Sequence, residues 1–268
     1  ILSSLIYAMK SLISISQSHE KITVRIHVTA KPCRPEALAY SLINYRLNRG
    51  MFLTNYPAMV IKDYLVVADV HIGITKELKR AGVLLPSQVD KLARQLNTLK
   101  LVAKAKKLII LGDFKHEIPR ISWQERVEIP QLLELLDFKS VVITKGNHDG
   151  HIEKIVHDKR VKIKKSFSVG DYIFSHGHRR IKTKKNTVVI GHNHPHVRFI
   201  DSIGTVYTQP CWVIGRAGDA RVIMVPAFNE LCGATVVNGK DDFLGPIARH
   251  IDRKNARIYL LDSTYLGR

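Results

Sequence analysis

The sequence predicts an α/β chain of mixed β-sheets with helices packed outside them. Three observations lead there. The first half alternates short β-rich runs with a helical pattern, and the second half is a close series of β-rich runs. In addition, 45% of the 268 residues are apolar, which is ordinary globular usage and enough for a sizeable core without disulfide staples.

Taken in order, YLVVA (64–68) is a short apolar run bounded by charge. Ser87 followed by Asp90 has the spacing of a capping box, and Val89, Leu92, Ala93, Leu96 and Leu99 then recur at helical spacing. LIIL (108–111) reads as a buried strand. A short helix around Pro130–Leu136 precedes the strand SVVIT (140–144). YIFS, TVVIG, HVRFI, TVYTQ, RVIMV and RIYLL follow as strands close together. There is no internal repeat and no low-complexity tract.

Residues 1–50 stand apart. They alternate short apolar patches with Ser, and the segment from Met51 onward reads like a domain opening. Residues 1–50 are therefore expected to be an extension upstream of a natural start at Met51, with residues 51–268 as the functional domain. The other reading is an N-terminal subdomain of short strands with a helix around Glu36–Asn48.

Lys and Arg total 42 against 23 Asp and Glu, a net charge of +19. This favours polyanionic partners, nucleic acid first and acidic membrane second, although charge also serves solubility. Cys33, Cys211 and Cys232 are odd in number and lack CxxC spacing, so neither a disulfide framework nor a zinc finger is implied. No run reaches the roughly 18 apolar residues of a membrane span. The opening ILSSLIYAM lacks a basic n-region and a small-residue cleavage site. The expected compartment is reducing and cytoplasmic, with no membrane partner.

Chemistry is concentrated where the strand runs end. YLVVA is followed by Asp69-Val70-His71, and LIIL by Gly112-Asp113. SVVIT leads into Gly146-Asn147-His148-Asp149, YIFS into His176-Gly177-His178, and TVVI into Gly191-His192-Asn193-His194. Ligands of open α/β sheets gather beyond the carboxyl ends of strands, so these ends can converge. They offer carboxylates, an amide and several imidazoles, a set suited to Mn, Fe or Zn rather than Ca. One bridging Asp would hold two ions about 3.5–4 Å apart. A lone DxH or GD says little, GNHD says more, and GHNH after a strand more again. Their ordered succession carries the metal-site reading.

This succession resembles the calcineurin-like metallophosphoesterases, whose pattern is DxH, GD, GNHD/E, H and GHxH. The resemblance spans about Tyr56 to Phe228. With GDFKHE (112–117), KGNHDGHIE (145–153), SHGH (175–178), GHNHP (191–195) and VPAF (225–228), it looks closest to the archaeal ICC-like phosphoesterases. That branch is similar to bacterial ligase-associated DNA-damage-response endonucleases. The resemblance implies a four-layer α-β-β-α sandwich of two mixed sheets. It implies two divalent ions, Mn first with Fe or Zn as alternatives. Asp69, His71 and His194 would hold one ion, Asn147, His176 and His192 the other, with Asp113 bridging. It makes His148 the catalytic imidazole, oriented by Asp149. His176 is preferred to His178 as the motif's lone histidine.

The implied reaction is phosphodiester hydrolysis. Two cations lower the pKa of a bridging water, the resulting hydroxide attacks in line, and His148 serves the leaving alkoxide. His116, three residues past Asp113, is a candidate for substrate contact or for support of the centre. Arg179 and Arg180 follow His178 and are candidates for phosphate contact; Arg198 could join them from the next strand. Trp123 lies in a polar segment and could meet a base, whereas Tyr207 and Trp212 read as strand core. The favoured function is a nuclease or phosphodiesterase acting on nucleic acid, with a role in DNA repair. The alternatives are a phosphoesterase for small phosphorylated compounds, cyclic nucleotides or phosphoproteins, and a non-catalytic interaction module that keeps the fold. A helicase or ligase partner is an analogy from the related branch.

Overall fold

The computed structural model describes residues 52–240 and 242–267, together with the backbone of the strands at 10–18, 21–29 and 50–51. Strands β1 (Lys10–Ser18) and β2 (Lys21–Thr29) pair antiparallel in a sheet of their own, from Lys10 opposite Thr29 to Ser18 opposite Lys21. The helix expected around Glu36–Asn48 and the residue Cys33 lie outside the described residues.

The first large sheet contains β3 (Gly50–Phe52), β4 (Ala58–Ile61), β5 (Tyr64–Val67), β6 (Lys107–Ile110), β7 (Ser140–Thr144) and β8 (Val161–Lys164), in that spatial order. β3, β4 and β5 are antiparallel neighbours, whereas β5 through β8 run parallel. The parallel crossovers carry α1 (Ile74–Arg80) and α2 (Val89–Val102) between β5 and β6, and α3 (Trp123–Leu135) between β6 and β7.

The second sheet holds β9 (Phe167–Val169), β10 (Tyr172–Ser175), β11 (Thr187–Ile190), β12 (Pro195–Ile200), β13 (Val206–Ala217), β14 (Ala220–Met224) and β15 (Thr235–Val236). Its spatial order is β15-β12-β13-β14-β11-β10-β9. β16 (Arg257–Leu260) pairs with β13, and β17 (Tyr265–Gly267) with β16. β10, β11 and β14 are parallel neighbours, and β13 runs against β14.

Side-chain alternation along the strands builds three cores. Val66, Ile109 and Val142 face Phe174, Val189 and Ile223 between the sheets, where Trp212 stacks on Phe52 at 4.2 Å between ring centroids. Leu65, Leu108, Ile110 and Val141 point the other way, against Leu96 and Leu99 of α2 and Ile129 and Leu132 of α3. Beyond the second sheet, Val188, Ile190, Val222 and Met224 pack on Phe243, Ala248 and Ile251. The layers are thus helices, sheet, sheet and a thin outer cover that includes the four-residue helix α4 (Gly245–Ala248). Two mixed sheets are what the sequence implies.

The helices depart from expectation at their starts. Ser87 does not form a capping box; its hydroxyl accepts the N–H of Val89, two residues on, and Gln88 is the N-cap. The box lies instead at Ser122–Glu125, where both reciprocal bonds form, so α3 begins well before the expected Pro130. Pro130 is exposed inside that helix.

Candidate metal centre

The carboxyl ends of β5, β6, β10 and β11 lie at one edge, and a parallel bridge from Ala68 to Ala227 joins the two sheets there, with Phe228 donating its N–H to the Ala68 carbonyl at 2.7 Å. The chain turns sharply as it leaves these strands. Asp69, His71, Asp113, His192 and His194 all have positive φ, between 41° and 71°. The left-handed region costs such residues roughly 1–2 kcal/mol each, so this concentration marks a place where geometry outweighs local strain.

Two glycines are required by close approach. A Cβ on Gly112, at φ +73°, would fall 2.5 Å from the His176 ring. One on Gly146 would fall 2.1 Å from Asp113 Oδ1 and 2.4 Å from its backbone nitrogen.

Backbone carbonyls settle which nitrogen each imidazole presents. His176 Nδ1 lies 2.8 Å from the Leu111 carbonyl oxygen and His194 Nδ1 lies 2.9 Å from that of Gly233. A carbonyl only accepts, so each Nδ1 carries a proton and Nε2 is the nitrogen each ring turns toward the centre. The buried Nε2 atoms of His71 and His194 have no hydrogen-bond partner among the described residues. Buried nitrogen left without a partner is costly unless a ligand takes it up.

The acceptors are Asp69 and Asp113, both buried. Asp113 Oδ2 lies 3.2 Å from His176 Nε2, 3.7 Å from His71 Nε2 and 3.9 Å from His148 Nε2. Asp69 Oδ1 lies 3.5 Å from both His176 Nδ1 and His194 Nε2, and its Oδ2 accepts the His192 N–H at 3.0 Å. Burial alone would raise the Asp113 carboxyl. The His176 hydrogen bond and the charges of His176, His71 and His148 outweigh it and hold the group below the ordinary carboxylate range. Burial works against charge on His176 too, but Asp113 and then Asp69 raise it to about 9. Partial burial and then the His176 charge push the half-buried His192 down to about 4.

These residues fit two cations. Asp69, His71 and Asp113 each place a ligand atom within 4.8 Å of the others, and so do Asp113, His176 and His192. Asp113 is common to both groups. Asn147 Oδ1, 3.0 Å from His176 Nε2, adds an amide oxygen to the second. Mixed carboxylate, amide and imidazole donors suit divalent first-row metals.

Other expected residues take different places. Asp149 does not orient the His148 ring. It is fully buried and accepts the N–H groups of Phe114 at 2.9 Å, Lys115 at 3.1 Å and Gly146 at 2.8 Å, which ties the Asp113 loop to the Asn147 loop. Burial and the Asp113 charge raise its carboxyl to about 6 despite those bonds. The His148 ring is held by the His116 carbonyl at Nδ1. His116 sits 3.0 Å, Nδ1 to Nδ1, from His71, and its Nε2 meets Glu77 Oε2. Its place is therefore support of the centre as much as its rim. His178, passed over for His176, lies beside it at 5.2 Å between centroids, and neither of its ring nitrogens has a partner among the described residues. Arg179 and Arg180 are exposed on the loop that follows. His196 donates Nδ1–H to the His194 carbonyl at 2.9 Å.

Two residues escaped the sequence reading. Glu77, on α1, acts on His116 across 39 positions, so no local spacing signals it. Cys232, read only as a reduced thiol, lies with ligand atoms of His71 and His194 inside 4.8 Å.

Comparison with known proteins follows this geometry. Residues 63–229 match the family model of the calcineurin-like phosphoesterases. A Pseudomonas putida nuclease, MPE, is similar in fold at a TM-score of 0.53 and 22% identity, over 77% of this chain and 89% of that one. YfcE, a phosphoesterase from E. coli, aligns at a TM-score of 0.38 and 14% identity over 76% of this chain and 96% of that one. Comparison with curated proteins gives no match.

Proposed function

Because the chain belongs to the calcineurin-like phosphoesterase family, we propose that it hydrolyses phosphodiester bonds of nucleic acid at a centre of two divalent ions, manganese first among them. The observation that carries the substrate class is the loop leaving β10. Beginning three residues after His176, it presents Arg179, Arg180, Lys182, Lys184 and Lys185, all exposed and none ion-paired among the described residues. Free cations beside a phosphoesterase centre suit a phosphate backbone rather than one small ester. The similar P. putida protein is itself called a nuclease.

When bound, two divalent ions would neutralise phosphodiester charge and acidify a water shared between them. Asp69, His71, Asp113 and His194 would hold one ion; Asp113, Asn147, His176 and His192 the other. His148 Nδ1–H donates to the His116 carbonyl, so Nε2 is the nitrogen turned toward Asp113 and left to exchange a proton with the reacting groups. A proton carried on Nε2 would pass to the leaving alkoxide as its bond to phosphorus breaks. Water supplies the new oxygen, and the products are a phosphomonoester and an alcohol.

The test is paired hydrolysis with Mn²⁺ on labelled single- and double-stranded DNA and RNA and on a chromogenic phosphodiester, with Asp113→Ala as control. Cleavage of nucleic acid that the control lacks supports the proposal. Hydrolysis of the chromogenic ester alone moves the substrate to small phosphoesters.

A further inference from the structure

We propose that Trp123, at the start of α3, is a stacking platform for unpaired bases, so that the strand delivered to the metal centre is single-stranded. This rests on the nucleic-acid reading above and adds the strand class to it.

Trp123 is 79% exposed, whereas Trp212, the other tryptophan, is 1% exposed in the inter-sheet core. Its neighbours share the exposure. Arg126 and Val127 follow at three and four residues, on the same side of the helix, and Ile118 and Arg120 are exposed on the segment leading in. Apolar surface gathered in one place is a mark of a binding site.

This ridge is fixed to the centre. Glu125, two residues beyond Trp123 and fully buried, accepts the N–H of His116 at 2.9 Å and of Glu117 at 2.7 Å. Gln124 donates to Thr75 Oγ1 at 2.6 Å, on the helix that follows His71. The Pro119 carbonyl lies 3.5 Å from the position a Cβ on Gly150 would take, so the ridge abuts the loop carrying Asn147 and His148. A base on Trp123 would therefore belong to a strand entering beside His148.

Charge selects the occupant. The guanidinium groups of Arg120 and Arg126 have no ion pair among the described residues. The acids of the same region are engaged: Glu125 and Glu128 are buried, Glu117 is paired with Lys76 at 2.7 Å and Arg80 at 3.3 Å, and the exposed Glu77 meets His116 Nε2. An exposed indole between unpaired arginines suits a polyanion with aromatic faces. Only unpaired bases offer those faces, because a duplex presents base edges and backbone.

The experiment measures binding by the full chain in a His148→Ala background with Mn²⁺ at fixed salt. Labelled single strands and duplexes of one sequence are titrated against Trp123, Trp123→Phe and Trp123→Ala proteins. Alanine is expected to lower single-strand affinity about tenfold, with duplex affinity changed less than twofold and phenylalanine restoring most of the loss. Tryptophan emission should fall as single strands bind. Equal losses for both forms, or no loss at all, overturn the inference while leaving the nucleic-acid reading intact. Absence of any nucleic-acid binding overturns both.

Discussion

Asp113 Oδ1 accepts the backbone N–H of His148 at 2.9 Å. The residue that joins the two ligand groups thus also fixes the loop bearing the imidazole expected to serve the leaving group. Its other oxygen, Oδ2, faces His71 and His176. One carboxylate thus joins the two candidate ligand groups and holds the His148 loop, and a side chain on Gly146, 2.1 Å from Oδ1, has no room.

Asp113→Ala removes the donor shared by both groups. The expected outcome is a fall from two bound ions to fewer than one per chain, measured by elemental analysis after dialysis against Mn²⁺. Retention of two ions would show that the carboxylate does not join the groups.

His148→Ala leaves every residue of the two ligand groups in place. Two ions should remain, while turnover falls roughly 10²–10⁴-fold, the range of general acid–base catalysis. The check is metal content and kcat on the same preparation. A fall in kcat with metal content also reduced would assign His148 to ligation instead.

Asp149→Ala strands the buried N–H groups of Phe114, Lys115 and Gly146. Each costs about 1–3 kcal/mol when left without an acceptor. Denaturant unfolding should therefore show a large loss of stability, and metal affinity should fall because the Asp113 and Asn147 loops separate. A variant with normal stability and metal content but low kcat would restore Asp149 as an orienter of His148.

Metal uptake should release protons. Without metal, His176 holds its proton up to about pH 9 because of Asp113 and Asp69, and ligation through Nε2 requires that proton to leave. Mn²⁺ affinity should rise with pH up to about 9, and calorimetry in buffers of different ionisation enthalpy should count the proton at pH 7. For the metal-free protein the sign is fixed by linkage. The folded-state pKa of His176 lies above its unfolded value, so its contribution to stability is complete below about pH 6.5 and fades as pH rises through about 9. Stability of the metal-free protein that this histidine raises on going from pH 7 to pH 9 would contradict the pairing with Asp113.

Much of the frame was legible along the chain. Val89, Leu92, Ala93, Leu96 and Leu99 are all buried on α2, as their spacing requires, because helical periodicity is a local property. The runs at 64–68, 108–111 and 140–144 became neighbouring parallel strands for a similar reason: each is apolar on both faces and must be covered on both. Helix starts were less legible. Ser87 and Ser122 are both followed three residues later by an acid, and only the surrounding loop decides which forms the reciprocal bonds.

At the site, the sequence by itself determined which residue types stand at the strand ends, since a strand run and the turn after it are contiguous in the chain. From that order it supplied Asp69, His71, Asp113, Asn147, His176, His192 and His194 as a set of possible donors. Only the tertiary structure decided how they serve one another. It gave Asp149 to three backbone N–H groups instead of the His148 ring, placed Glu77 on His116, brought Cys232 to His71 and His194, and chose the nitrogen each imidazole offers through carbonyls such as those of Leu111 and Gly233. Those partners lie tens of residues apart, and a hydrogen bond is directional over a few ångströms, so no spacing in the chain encodes it.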